Sequence, residues 1–135
     1  MEVTESSFAQ ELRGRRCDQL LTQEHWFEGK LSDPYNVLYA RLDDNVHLRF
    51  HFDGGVFFWR QEAPDLPEPH SSNEYRLVEI PAARALRGRR VEAVAFSGVE
   101  GGGRQLEVAF AGGGAMILQN VDDTTKLSIR GENDT

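Results

Sequence analysis

The pentapeptide Leu-Arg-Gly-Arg-Arg occurs twice in this chain, at residues 12–16 and again at residues 86–90. Each copy follows a short segment of helical character and precedes a run of β-forming residues, then an alternating strand and a glycine turn. A repeated order of this kind is typical of a chain made from two copies of one unit. The sequence therefore predicts an internal duplication, with two similar halves that each contain a short helix and a β-meander.

Short helices are predicted before each copy, over residues 7–12 and 81–86. Ser7 is suited to cap the first helix and Pro81 to open the second, while a glycine within each Leu-Arg-Gly-Arg-Arg segment ends the helix. The duplication aligns Cys17 with Val91, which predicts that the lone cysteine is a small buried side chain rather than a nucleophile.

Alternating apolar and polar residues predict antiparallel strands that turn at glycines. In the predicted alignment of the halves, the hairpin around residues 53–55 corresponds to the hairpin around residues 112–114. The first half then carries about 16 extra residues, with a turn at 32–36 and a strand at 37–42.

The fold class expected from these patterns is α+β, mostly antiparallel β, because no segment provides the long helical crossovers that parallel strands need. The 135 residues are predicted to form one compact domain. Its parts are a first half of about 5–62, a proline-rich linker at 63–73, a second half of about 74–130, and a frayed tail at 131–135.

Acidic charge is concentrated in one part of the chain. Residues 17–83 hold twelve Asp or Glu and five Lys or Arg, whereas the remaining residues are balanced. Nucleic-acid binding is disfavoured because it needs a basic face for the phosphates. A basic protein partner fits this charge better.

Composition points to a cytoplasmic protein without a cofactor. The single cysteine excludes an internal disulfide, no apolar run is long enough to cross a membrane, and the first residues do not resemble a secretory signal. Thirteen Arg against two Lys suggest a GC-rich, bacterial genome.

The most polar strand, residues 46–53, is predicted to place His47, Arg49, His51 and Asp53 on the face opposite the core. A metal-dependent enzyme using these His and Asp side chains is one alternative, although His47 and His51 lie about 13 Å apart on an extended strand. The glycine triplets do not open helices and are predicted to be turns rather than phosphate loops. The arginine clusters are predicted to be structural, with phosphate contact as the alternative.

Aromatic residues close to the acidic segment predict a protein-binding surface. The preferred hypothesis is a non-catalytic, acidic protein that docks on a basic partner, similar in size and charge to immunity proteins and antitoxins. A homo-oligomer, such as a homodimer formed through an exposed edge strand, is the other alternative. The residues predicted to bind the partner are Asp43, Asp44, Asp53, Phe57, Trp59, Glu62 and Asp65.

Overall fold

A computed structural model describes residues 5–131 of the chain. The part described contains two short helices and nine strands. In chain order these are α1 (Glu5–Leu12), β1 (Arg16–Phe27), β2 (Lys30–Leu42), β3 (His47–Asp53), β4 (Val56–Gln61), β5 (Asn73–Glu79), the 3-10 helix α2 (Pro81–Leu86), β6 (Arg89–Val99), β7 (Gly103–Phe110), β8 (Ala115–Val121) and β9 (Thr124–Arg130).

All the strand pairs are antiparallel, as the sequence predicts. The sheet order is β4-β3-β2-β1-β6-β7-β8-β9, and β5 pairs with β1 beside this path. Strand β1 is therefore shared: Arg16 and Cys17 pair with β6, while residues 21–27 pair with β5. β5 was assigned to the second half from the sequence, but it extends the sheet of the first.

A short helix and a four-stranded meander occur twice, as α1 with β1–β4 and as α2 with β6–β9. We call these the first and second halves, and count β5 with the first. The predicted alignment of their hairpins is wrong by one hairpin. The 112–114 turn joins β7 to β8, so its equivalent is the β2–β3 turn, and both close with a backbone bond, from Leu42 to Val46 or from Phe110 to Gly114.

The two arginine-rich segments lie side by side and exchange equivalent hydrogen bonds. The Gly14 amide donates to the Val91 carbonyl at 2.8 Å, and the Gly88 amide donates to the Cys17 carbonyl at 2.7 Å. Arg16 donates to the Gly88 carbonyl at 3.1 Å. Arg90 correspondingly donates to the Gly14 carbonyl at 2.8 Å. These guanidinium groups join the halves through backbone carbonyls, which agrees with a structural role.

One core is shared by both halves, because the inner faces of the meanders meet around α1. Phe8 of α1 is completely buried, and its ring lies 4.9 Å from Phe57 and 6.4 Å from Phe96. Cys17 and Val91 are both buried, at 2% and 1% exposure, as their alignment predicted.

Two local predictions are corrected. Helix α1 spans Glu5–Leu12, so Ser7 lies within it, and its hydroxyl accepts a hydrogen bond from the Trp59 indole. Residues 32–36 are part of the long strand β2, where β1 compensates with shifts in register. Within residues 63–73, the segment predicted to be a linker, His70 forms an isolated β-bridge with Asn73.

Two observations concern the ends of the chain and membranes. Among residues 5–131, no helix is both long and apolar enough to span a membrane. Most of the tail predicted to fray, residues 132–135, lies outside the described residues.

Candidate functional site

The two faces of β3 have the predicted composition. Leu48, Phe50 and Phe52 are buried in the core, at 0%, 1% and 6% exposure. The opposite side chains join those of β4, because the two strands pair in register. We call the resulting surface the β3–β4 outer face; it consists of Arg49, His51, Asp53, Val56, Phe58 and Arg60.

The aromatic residues of β4 are distributed differently from the prediction. Phe57 is 2% exposed and Trp59 packs against the same core, so these two predicted partner-binding residues point inward. Phe58 points outward, is 47% exposed, and stacks on His51 with 5.4 Å between ring centroids. Successive side chains of a strand alternate between its faces, so one of three consecutive aromatic residues must face away from the other two, and that residue is Phe58.

Beside this surface, the sheet carries a polar cleft of about 470 Å³, which we call the outer cleft. Its floor and walls come from β1, β2, β3 and β5, and the linker and the second half complete it. The lining residues are Gln23, Asp33, Tyr35, Asn36, Val37, Arg49, His51, Phe52, Asp53, Pro67, Tyr75, Asp123 and Thr125.

Strand register explains why Gln23 and Val37, two of these lining residues, lie side by side. Gln23 of β1 pairs with Val37 of β2 on one side and with Leu77 of β5 on the other. Side chains directly opposite one another share a face of the sheet, so Gln23 lies with Val37 on the outer side. Pro67 reaches the cleft from the linker, which runs past this side between Glu62, bonded to the carbonyl of His47, and the start of β5.

The second half reaches the cleft through the β8–β9 turn. Asp123 accepts a hydrogen bond from the Gly54 amide at 2.8 Å, and Asn120 accepts one from the Gly55 amide at the same distance. These bonds fix the β3–β4 turn against the β8–β9 turn. The Asp123 carboxylate is thereby held at the edge of a cleft that belongs mainly to the first half.

The cleft contains buried polar groups without protein partners. Gln23 is 4% exposed, and its side-chain amide forms no hydrogen bond with any described residue. The Nδ1 atom of His51 is buried and also lacks a hydrogen-bond partner in the described part of the chain. Buried polar groups are normally hydrogen-bonded, since leaving one unsatisfied costs about 1–3 kcal/mol.

The charge of the cleft is negative. Asp33, Asp53 and Asp123 line it, and the guanidinium of Arg49 is paired with Glu62 at 3.5 Å. Burial lowers the pKa of His51, and the nearby Arg49 lowers that pKa further against the opposing effect of Asp53. His51 is therefore mostly neutral at pH 7, and the carboxylates dominate.

The acidic residues predicted to bind a partner do not form one patch. Asp53 lies at the β3–β4 turn, whereas Asp43 and Asp44 lie at the opposite end of β3, a strand about 20 Å long. The carboxylate of Asp44 forms an ion pair with the guanidinium of Arg15 at 2.7 Å. Asp65 is exposed in the linker.

Glu62, also predicted to bind a partner, lies where β4 ends. Its carboxylate is 2.9 Å from Arg60 and 3.5 Å from Arg49. Of the predicted acidic residues, only Asp53 lines the outer cleft.

The structure also bears on two other sites considered from the sequence, a metal site and a reactive cysteine. No group of three or more His, Cys, Asp or Glu among residues 5–131 is arranged to hold a metal ion. Burial raises the pKa of the Cys17 thiol from 9.0 to about 12, which disfavours the reactive thiolate.

Comparison with known proteins gives no relative from which a role could be transferred: no protein-family model matches the chain, and no curated protein or solved structure matches it significantly. The site must therefore be interpreted from its own geometry.

Sequence reasoning missed most of the outer cleft. Asp33 was placed in a turn, and Gln23, Tyr75 and Asp123 were not considered. Gln23 lies in a run whose neighbours Thr22, Glu24 and His25 are also polar, so local sequence does not single it out. The remaining residues converge through pairings between distant strands.

Proposed function

We propose that this chain is a non-catalytic binding protein, and that it docks on a basic protein partner through the β3–β4 outer face and the adjoining outer cleft. The observation that carries the proposal is the distribution of exposed apolar side chains. The large hydrophobic residues exposed in the described part of the chain are Phe27, Leu31, Val56 and Phe58. All of them lie in the first half, within the acidic segment of residues 17–83.

Charge supports a basic partner. Several carboxylates of the acidic segment have no cation within 4 Å among the described residues, and two of them, Asp33 and Asp53, line the outer cleft. They are Asp18, Glu24, Glu28, Asp33, Asp43, Asp53, Asp65 and Glu68. Unpaired surface charge of one sign accelerates association with a partner of opposite sign and makes it sensitive to salt.

The proposed surface combines the usual elements of a protein-binding site. Phe58 and Val56 provide apolar area at its centre, at 47% and 53% exposure, and charged residues surround them. Asp53 lies directly opposite Val56 in the strand register, so an acidic and an apolar group are adjacent. A cytoplasmic protein of the immunity or antitoxin type would use such a surface to neutralise a basic partner.

The reciprocal contacts of the arginine-rich segments support a second element of the proposal. We infer that the two halves descend from one duplicated unit, and that the first half acquired the binding surface after the duplication. Its hydrophobic surface residues have no apolar equivalents on β9.

The test is capture of the partner from a lysate of the source organism, using the tagged wild-type protein, Phe58→Ser and Phe27→Ser. Phe27 is the matched control because it is 44% exposed at the far tip of the β1–β2 hairpin. We expect the wild type and Phe27→Ser to retain one stoichiometric basic protein that Phe58→Ser loses, with less retained as salt rises.

Equal retention by Phe58→Ser, or the absence of a stoichiometric protein, would contradict the proposal. Metal analysis of the same sample addresses the enzyme alternative. A stoichiometric transition metal would favour the His and Asp residues of β3 as a metal site over a docking surface.

A further inference from the structure

The outer cleft has a chemical preference that goes beyond general protein binding. We propose that it receives the guanidinium group of an arginine side chain presented by the partner. This inference rests on the proposed function, since it specifies which group of a basic partner the cleft recognises.

The first argument is the set of acceptors that the cleft presents. Asp33 and Asp53 contribute carboxylates, and the Asp123 carboxylate faces the same space from the second half. Guanidinium is a planar cation with five N–H donors and no acceptor, so it satisfies several oxygen acceptors at once. A carboxylate can bind it through two parallel hydrogen bonds.

The second argument is independent of the carboxylates. The residue Gln23 is 4% exposed and lines the cleft, and its side-chain amide has no hydrogen-bond partner among the described residues. Most of the Gln23 side chain is thus buried, while its amide has no partner in the described part of the protein. A ligand donor that reaches Gln23 Oε1 would supply the missing bond.

Aromatic side chains favour guanidinium over a compact ammonium. Tyr35 and Tyr75 both line the cleft and are partly buried. The flat guanidinium stacks on aromatic faces, whereas the ammonium of lysine is a strongly hydrated point charge. Arg49 does not fill the cleft as an internal ligand, because its guanidinium is paired with Glu62.

The test uses N-acetyl-arginine amide as the probe, with its neutral isostere N-acetyl-citrulline amide and with N-acetyl-lysine amide as comparisons. Binding is followed by NMR chemical shifts of the backbone and of the Gln23 side-chain amide in the full chain. We expect the arginine probe to shift Gln23 and its neighbours at millimolar concentrations, the lysine probe to bind more weakly, and the citrulline probe to cause no saturable shift.

Two variants locate the binding. Asp53→Asn preserves shape and removes one carboxylate, so we expect at least tenfold weaker binding of the arginine probe. Glu92→Gln is the matched control, because it removes one exposed carboxylate from β6, which does not line the cleft, and should leave affinity unchanged. Equal losses in both variants would mean that only net charge matters, and would overturn the inference.

Gln23→Leu separates recognition from folding. It removes the unpartnered amide, so we expect the denaturation midpoint to stay the same or rise while affinity for the arginine probe falls at least tenfold. Unchanged affinity in this folded variant would contradict a role for the amide. Tighter binding of free arginine than of the blocked probe would identify a small-molecule ligand instead of a partner side chain, and would also overturn the inference.

Failure of the guanidinium inference can be distinguished from failure of the proposed function. If the cleft ignores the arginine probe while capture of a protein still depends on Phe58, the guanidinium inference fails and the docking surface stands. If the probe binds in the cleft but no basic protein is captured, the proposed function fails and the cleft remains a guanidinium site.

Discussion

The β3–β4 hairpin of the first half and the β8–β9 hairpin of the second occupy equivalent places, yet their outer faces differ. Strand register aligns the pair Asp53 and Val56 with Val121 and Thr124, and the pair His51 and Phe58 with Gln119 and Lys126. Strand β9 therefore carries the polar outward residues Thr124 and Lys126 at the positions where β4 carries Val56 and Phe58. Strand β9 pairs with its neighbour without outward apolar side chains, so strand pairing alone does not account for Val56 and Phe58 on β4.

The turns of the two hairpins also differ in their residues while both use positive φ. Gly54 and Gly55 have positive φ in the first turn, and Asp122 and Asp123 adopt positive φ in the second. The first turn donates its amides to the second half, and the second turn supplies the Asp123 carboxylate that receives one of them. The similar backbones thus carry different chemistry, with amide donors on one side and an acceptor on the other.

The largest effect on the free energy of unfolding is expected at Phe8, where residues of both halves pack together. Phe8→Ala should lower the free energy of unfolding by about 3–5 kcal/mol, because Phe8 is fully buried between residues of both halves. Chemical denaturation followed by tryptophan fluorescence measures the change. Phe58→Ala, at an exposed aromatic, is the control and should cost less than about 1 kcal/mol. Similar costs at both positions would contradict a core shared by the halves.

The next largest effect is a change in the free energy of unfolding with pH, caused by the thiol of Cys17. The raised pKa of Cys17 means that the folded state holds the thiol proton more tightly than the unfolded chain does. Stability from this group is complete below pH 9 and is lost as pH rises towards 12, by about 1.4 kcal/mol per pH unit.

The matched variant is Cys17→Val, which copies the equivalent residue Val91 into the first half. At pH 10.5 the wild type should have lost about 2 kcal/mol relative to this variant, compared with their difference at pH 8. Denaturant titrations at the two pH values give the comparison. If the two proteins lose stability in parallel, the thiol is not buried as described.

A smaller and symmetrical effect is expected at the arginine contacts between the halves. Arg16→Ala and Arg90→Ala should each cost about 1 kcal/mol, because each removes one hydrogen bond to a backbone carbonyl. Arg13→Ala, at an exposed arginine of the same segment, serves as the control in thermal unfolding. A loss at only one of the two positions would break the equivalence of the halves.

The smallest effect concerns the surface that distinguishes the hairpins. The double variant Val56→Thr with Phe58→Lys copies the outward residues of β9 onto β4. Its free energy of unfolding should change by less than about 0.5 kcal/mol, since exposed positions contribute little to stability. Denaturation curves of the purified variant test this. A loss of several kcal/mol would show that the apolar surface supports the fold and needs no partner.

Local patterns predicted the strands and turns well. The alternation of residues 48–52 identified the buried face of β3, and the glycines at 112–114 identified a turn, because both signals depend on neighbouring residues alone. The hairpin equivalence failed because residues 53–55 and 112–114 have similar composition. Strand pairing, which the glycines do not encode, gives the β2–β3 turn the same place in its meander as the β7–β8 turn.

The candidate site was less predictable for the same physical reason. Asp53 and an outward-facing aromatic on β4 were expected, but alternation alone did not choose Phe58 over its neighbours. Gln23 meets Tyr75 only because β5 returns to pair with β1 after the linker. Asp123 arrives from the other half through a turn contact. No spacing within a single segment records such encounters.

The position of β1 between three partners also has a consequence for synthesis of the protein on the ribosome. When residues 16–61 have emerged, β1–β4 can pair, but the free edge of β1 waits for residues 73–79 and then for residues 89–90. At about 5–20 residues per second, that interval lasts several seconds. A nascent chain halted there would present an unpaired strand edge open to association with other chains, until β5 covers most of this edge and β6 covers the rest.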